Sequence, residues 1–248
     1  MLYSVVFLAA AMNGFLILLF IKYKQGKLIR NPFKTILIKE GSILFYAFFR
    51  WKRKKNKPAE SFCLHKNSGY FFLFLALLHE QVIEMVIFHI YLHHEDPAFA
   101  YIFTALHLYS ILYMLGDYNW MRNSPVRLNH NRVEMKIGAR RELVFNLEDI
   151  ATIDKASIQY RKSGEMIHEK QVFHATGFPR ILTLIFGMSD PLKYEIVFHE
   201  PQQAIGYFGT KKTVTKALLY LDQSDGLVRL LQTQRAGLGN KAGGTSVS

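Results

Sequence analysis

Apolar residues run in long unbroken stretches before residue 121 and in short alternating segments after it, and this change of period divides the chain. The first stretch, Tyr3 to Ile21, carries no charge. It matches the roughly 20 apolar residues that a 30 Å hydrocarbon core requires. A second runs from Tyr70 to Leu92 and a third from Ala98 to Met114, separated only by His93, His94, Glu95, Asp96 and Pro97. So short a link predicts an antiparallel helical hairpin. A shorter run, Ile43 to Trp51, is apolar but cannot cross a bilayer, and Lys52, Arg53, Lys54, Lys55 and Lys57 follow it. This predicts a helix lying in the headgroup layer with the lysines toward anionic lipid, or one packed on a neighbouring domain.

From Pro125 the period falls to two. Val133, Met135 and Ile137 alternate with Arg132, Glu134 and Lys136, and Leu143, Phe145 and Leu147 repeat the spacing beyond Gly138, which reads as a hairpin. Further strands are expected over Gln171–Ala175, Arg180–Phe186, Lys193–His199 and Thr213–Leu221. Asp190-Pro191 and Glu200-Pro201 read as turns flanking the third of these. Leu227, Leu230 and Leu231 share one face of a helix expected over Asp222–Arg235, and the Gly- and Ser-rich stretch 236–248 reads as disordered. The expected architecture is three transmembrane helices joined to a mostly-β domain, a barrel or bent sheet closed by a C-terminal helix. Its parts are residues 1–22, a basic loop 23–69, the hairpin 70–120, the β domain 123–235 and the tail.

The segment VRLNHNRVEMKIGARRELVFNLEDIATI resembles the opening hairpin of bacterial pleckstrin-homology-like domains. DPLKYEIVFHEPQQAIGYFGTKKTVTKALLYLDQSDGLVRLL resembles their closing strands and helix. The chain as a whole resembles bacterial membrane proteins that join three helices to such a domain. The resemblance implies an architecture and an interaction role; it transfers no ligand site to numbered residues.

Charge refines the topology. The net charge of +12 lies almost wholly between Lys22 and Lys66, where thirteen basic residues face two acids, Glu40 and Glu60. Basic loops stay on the cytoplasmic side, so the N-terminus and the hairpin tip are expected outside and the β domain inside. The absence of a basic residue before Tyr3 favours an anchor over a cleaved signal peptide. A single cysteine, Cys63, excludes an internal disulfide. The basic excess belongs to the membrane-flanking loop, so nucleic acid is not the expected partner. In the β domain, Arg140, Arg141, Lys211, Lys212 and Lys216 form either a lipid-facing stripe or an ordinary solvated surface.

Polar residues within the apolar stretches are the candidates for chemistry. Asn13, Glu80, Glu84 and His107 fall at similar depths and predict one intramembrane polar layer. A charge at the helix centre costs at least about 2.5 kcal/mol, so such a layer serves as a proton, ion or ligand site or as hydrogen-bonded glue between helices or subunits. His89 and His93, four apart, with His94 and Glu95, offer zinc-type ligands or a plain interfacial cap. No phosphate loop, nucleophile elbow, CxxC pair or HExxH helix occurs. The first expectation is a non-enzymatic membrane protein whose β domain binds a protein partner or anionic lipid headgroups, with homo-oligomerisation as an option. An ion- or proton-handling unit built on Glu80, Glu84 and His107 stands second, and a metal-dependent membrane enzyme third.

Overall fold

The computed structural model describes residues 2–28, 31–50, 61–64, 68–129, 131–158, 169, 171–179, 190–220 and 224–243. The first helix, α1, spans Leu2–Lys24. The second, α2, spans Pro32–Phe49. It is longer than the expected headgroup helix and starts eleven residues earlier. Its start is built locally: Asn31 Oδ1 accepts from the Phe33 amide at 3.0 Å, and Pro32 occupies the first helical position, where a missing N–H costs nothing.

Helices α3 (Tyr70–Glu95) and α4 (Pro97–Arg122) form the expected hairpin, and both are long and apolar enough to cross a membrane. Asp96 ends one and starts the other. Its amide donates to Leu92 O at 2.8 Å, while its side chain accepts from the amides of Ala98 and Phe99 at 3.0 and 3.2 Å. Helix α2 lies on α4 at Gly116, where a Cβ would sit 2.2 Å from the Ile43 carbonyl oxygen. Only glycine permits that approach. Tyr46 stacks on Trp120 at 5.3 Å, continuing the seam.

Among the described residues eight strands form one mixed, open sheet: β1 (Ser61–Phe62), β2 (Val126–Asn129), β3 (Arg132–Ile137), β4 (Arg141–Asn146), β5 (Ile150–Lys155), β6 (Val172–Ala175), β7 (Tyr194–Ile205) and β8 (Lys211–Leu219). The spatial order is β1-β2-β3-β4-β7-β8-β6, with β5 also on β7. One edge is parallel, β6 against β8. The hairpin read from the alternation is β3–β4, in register from Arg132↔Asn146 to Ile137↔Arg141. A 3-10 turn at Leu147–Asp149, closed by reciprocal Asn146 and Asp149 bonds, redirects the chain into β5.

Two expectations change. Glu200-Pro201 is not a turn: β7 runs through it, and the pairing with β8 shifts register between Val197 and Gln202, an irregularity that accommodates the proline. The closing helix, α5, spans Ser224–Gly243 and so continues past Arg235 into the stretch read as disordered. The strand expected at Arg180–Phe186 lies outside the described residues.

The core settles how the two halves join. Val126, Val133, Met135, Ile137, Leu143, Phe145, Ile196, Ala217 and Leu219 pack with Leu227 and Leu231 of α5, and the same cluster includes Tyr70 and Phe74 of α3 and Tyr118 and Met121 of α4. Tyr118 stacks on Phe74 at 4.5 Å. The base of the hairpin is therefore part of the sheet domain's interior. Beyond that base, α3 from residue 75 to 95 rises about 30 Å, the thickness of a hydrocarbon core.

Candidate functional site

The hairpin base meets the sheet around a buried ion pair. Asp117, near the end of α4, lies 3.2 Å from Arg140 Nη2, in the turn between β3 and β4. That turn is possible because Gly138 adopts φ +49°, a left-handed conformation that favours glycine. Arg140 Nη1 donates to Gly177 O at 2.8 Å, its guanidinium lies 5.2 Å from the Tyr70 ring centre, and the Tyr70 hydroxyl donates to Asp117 at 3.3 Å. Burial disfavours the charged guanidinium, but the Asp117 carboxylate together with the Tyr70 and Tyr113 hydroxyls outweighs it and holds the Arg140 pKa above its ordinary value. Asp117 Oδ1 is buried with no hydrogen-bond donor among the described residues.

A second buried carboxylate, Asp190, closes the start of α3. It accepts from Ser68 Oγ at 2.7 Å, Thr176 Oγ1 at 2.9 Å and the Gly69 amide at 3.1 Å. A negative group at a helix N-terminus is favourable, and here it is supplied from a distant part of the chain. Asp190-Pro191, read as a turn, thus contains the residue that fixes α3 to the loop after β6.

On the other flank, Lys39 of α2 donates to Ala139 O at 2.6 Å and to Tyr207 O, and its ammonium lies 4.4 Å from the Tyr207 ring centre. Glu40 accepts from the Tyr109 hydroxyl at 2.5 Å and from the Tyr207 hydroxyl at 3.3 Å, while Tyr113 donates to Tyr207 at 3.2 Å. Burial first, then these oxygen neighbours, pushes the Tyr207 hydroxyl pKa up. The β7–β8 turn, Gly206 to Thr210, therefore reaches α4 at the level of Tyr109 and Tyr113. Phe208 of that turn touches Phe15 of α1 at 5.3 Å, and Leu28 bridges to Thr210.

Between these parts lies a cavity of 590 Å³. Its walls come from Tyr23, the first half of α2, Trp120, the β3–β4 turn and the β7–β8 turn. Among the described residues Lys34, Lys39, Lys136 and Arg141 line it with one acid, Glu142.

The residues singled out from the sequence are partly brought together. Glu84 Oε2 lies 3.8 Å from His107 Nε2 and accepts from Gln81 Nε2 at 3.0 Å. His107 Nδ1 is 2.9 Å from Phe103 O, a carbonyl that only accepts, so Nδ1 carries the proton and Nε2 turns its lone pair or a second proton toward Glu84. Glu80 and Asn13 occupy exposed positions, and the packing of α1 is on α2 more than on the α3–α4 pair. His89 bonds Thr104 Oγ1 at 2.8 Å and stacks on His93 at 5.6 Å, both rings lying against Tyr101. His94 and Glu95 are exposed, and among the described residues no three potential ligands gather as a metal site. Lys52, Arg53, Lys54, Lys55 and Lys57 lie outside the described residues.

The basic stripe of the β domain is largely engaged within the domain. Arg140 pairs with Asp117, Arg141 Nη2 reaches the carbonyls of Thr176 and Phe178 at 3.5 and 3.4 Å, Lys212 donates to Val172 O at 3.1 Å, and Lys216 pairs with Glu169 at 2.7 Å. Asp117, Tyr70, Asp190, Lys39 and Glu40 went unrecognised in the sequence. Asp117 carried a signal, an acid inside an apolar helix end followed by a Gly-Ala-Arg turn, but nothing local tells which cation will meet it. No protein-family model, curated protein or solved structure matches this chain.

Proposed function

We propose that this chain is a membrane-fixed binding module: the α3–α4 hairpin crosses the bilayer, α1 completes the anchor as a third, tilted span, and the pleckstrin-homology-like sheet reads the cytoplasmic surface of that same membrane. The observation that carries this reading is the shared core. Tyr70, Phe74, Tyr118 and Met121 hold the sheet rigidly against the hairpin, so its turns stay at a fixed depth. Large apolar side chains along the helices face outward beyond that base: Tyr101 is 62% exposed, Ile87 59% and Ile90 58%, as lipid-immersed surfaces require.

Depth can be read from the aromatic residues. Tyr113, Tyr207 and Trp120 lie where the hairpin meets the two sheet turns, the region in which amphipathic rings settle in bilayers. The turns at 138–140 and 206–210 then lie in the headgroup layer. The basic loop after α1 keeps this side cytoplasmic and places the tip at Glu95–Pro97 outside.

Amide hydrogen exchange tests the reading on the full chain reconstituted in zwitterionic bilayers and in bilayers containing anionic lipid. Segments 136–142 and 205–211 are expected to exchange more slowly in the anionic bilayer, while 150–155 is unchanged. Equal exchange of all three segments in both bilayers would refute a surface-reading role. A second reading, proton or ion handling, is favoured by one observation, the approach of Glu84 to His107 between α3 and α4.

A further inference from the structure

We infer that the 590 Å³ cavity between α2 and the two sheet turns binds the phosphate-bearing headgroup of one anionic phospholipid; the inference rests on the surface-reading role above and names the ligand of that surface.

Size comes first. The cavity falls within the 300 to 1,000 Å³ typical of small-molecule sites, ample for a glycerophosphate head and its linkage. Charge sets the class. Among the described lining residues Lys34, Lys39, Lys136 and Arg141 outnumber one acid, Glu142, which is held 3.5 Å from Lys136 Nζ, while Arg141 also reaches the Thr176 and Phe178 carbonyls. An anionic occupant is favoured by charge over a cationic or neutral one. Lys39 is fixed by the Ala139 and Tyr207 carbonyls, so one cation is preorganised in the wall and little side-chain entropy is lost on binding.

The walls also have a direction. Ile38, Tyr23 and Trp120 supply apolar surface next to the lysines, and this neighbourhood fits a molecule whose charged head continues into hydrocarbon. Gly138, Gly206 and Gly209 lie in the lining, and Gly138 and Gly209 have φ of +49° and +76°, so the two turns present backbone to the cavity at these positions. A free phosphate would leave most of this volume and all of the apolar wall unused.

The test is native mass spectrometry of the full chain released from detergent after titration with phosphatidylglycerol or with phosphatidylcholine of the same acyl chains. One phosphatidylglycerol per chain is expected to be retained in preference to phosphatidylcholine. The double variant Lys34→Gln/Lys136→Gln is expected to weaken that retention about thirtyfold, a factor of about five for each charge lost. Lys155→Gln/Lys193→Gln, on exposed lysines outside the cavity, is expected to retain the lipid unchanged. Circular dichroism melts of each variant establish that the comparison is between folded proteins. Equal retention of the two lipids, an equal loss in both double variants, or displacement by millimolar inorganic phosphate would each overturn the proposal. If retention fails while the anionic bilayer still slows exchange at 136–142 and 205–211, the cavity assignment falls and the surface-reading role stands.

Discussion

The lower and upper parts of the α3–α4 hairpin are continuous helix, yet the chain covers one and leaves the other exposed. At the base, Tyr70, Phe74 and Met121 are 5%, 6% and 1% exposed and pack into the sheet's core. Further along α3, Leu75, Ile87 and Ile90 are 50%, 59% and 58% exposed among the described residues. Both parts are apolar, so hydrophobicity alone does not distinguish helix packed in a protein interior from helix left exposed. The polar residues do. The base holds Asp117 against a buried cation and Asp190 at the start of α3, both fixed by partners distant in sequence. The shaft holds Glu84 with Gln81 and His107, partners found within the hairpin itself.

Replacing one partner at the base should give the largest effect. Arg140→Met leaves the Asp117 carboxylate buried without its cation and is expected to destabilise the detergent-solubilised chain by about 3 to 5 kcal/mol. Adding Asp117→Leu removes the orphaned charge and should restore most of that loss, leaving the Tyr70 hydroxyl and the Gly177 carbonyl in want of partners. Thermal unfolding of the two variants checks both. If the double variant is no more stable than the single one, the pair is not what joins hairpin to sheet.

Much of this contrast was legible in the sequence, and its limits have physical causes. The hairpin followed from two apolar stretches and a five-residue link, and β3–β4 from strict alternation around Gly138, because both are local patterns. Strands β1, β2 and β5 were missed: two are short, and β5 has the burial of an edge-like segment, with only Ile150 buried. The length of α2 was missed because Lys34, Lys39 and Glu40 interrupt its apolar run, yet Lys39 and Glu40 find partners in the sheet and on α4. The polar layer was placed by counting depth, and Glu84 Oε2 lies 3.8 Å from His107 Nε2. Asn13 and Glu80 depended on helix rotation and on where α1 packs, which are set by tertiary contacts.

A smaller effect is expected in the shaft. The double-mutant cycle of Glu84→Gln and His107→Ala should give a coupling of about 0.6 kcal/mol, since partners within lipid exchange readily for others. A near-zero coupling in stability combined with loss of a proton-dependent flux in vesicles would favour the ion-handling reading over the binding module.

The most direct test of the shared-core, lipid-shaft account is a collision profile by spin-label power saturation in bilayers, with Cys63 replaced and single cysteines introduced along both helices. Labels at Ile83, Ile87, Ile90, Ile102 and Leu106 are predicted to collide with oxygen and not with a water-soluble nickel chelate, while labels at Phe74 and Met121 meet neither. Nickel collisions along the shaft, or free oxygen access at Phe74 and Met121, would contradict it.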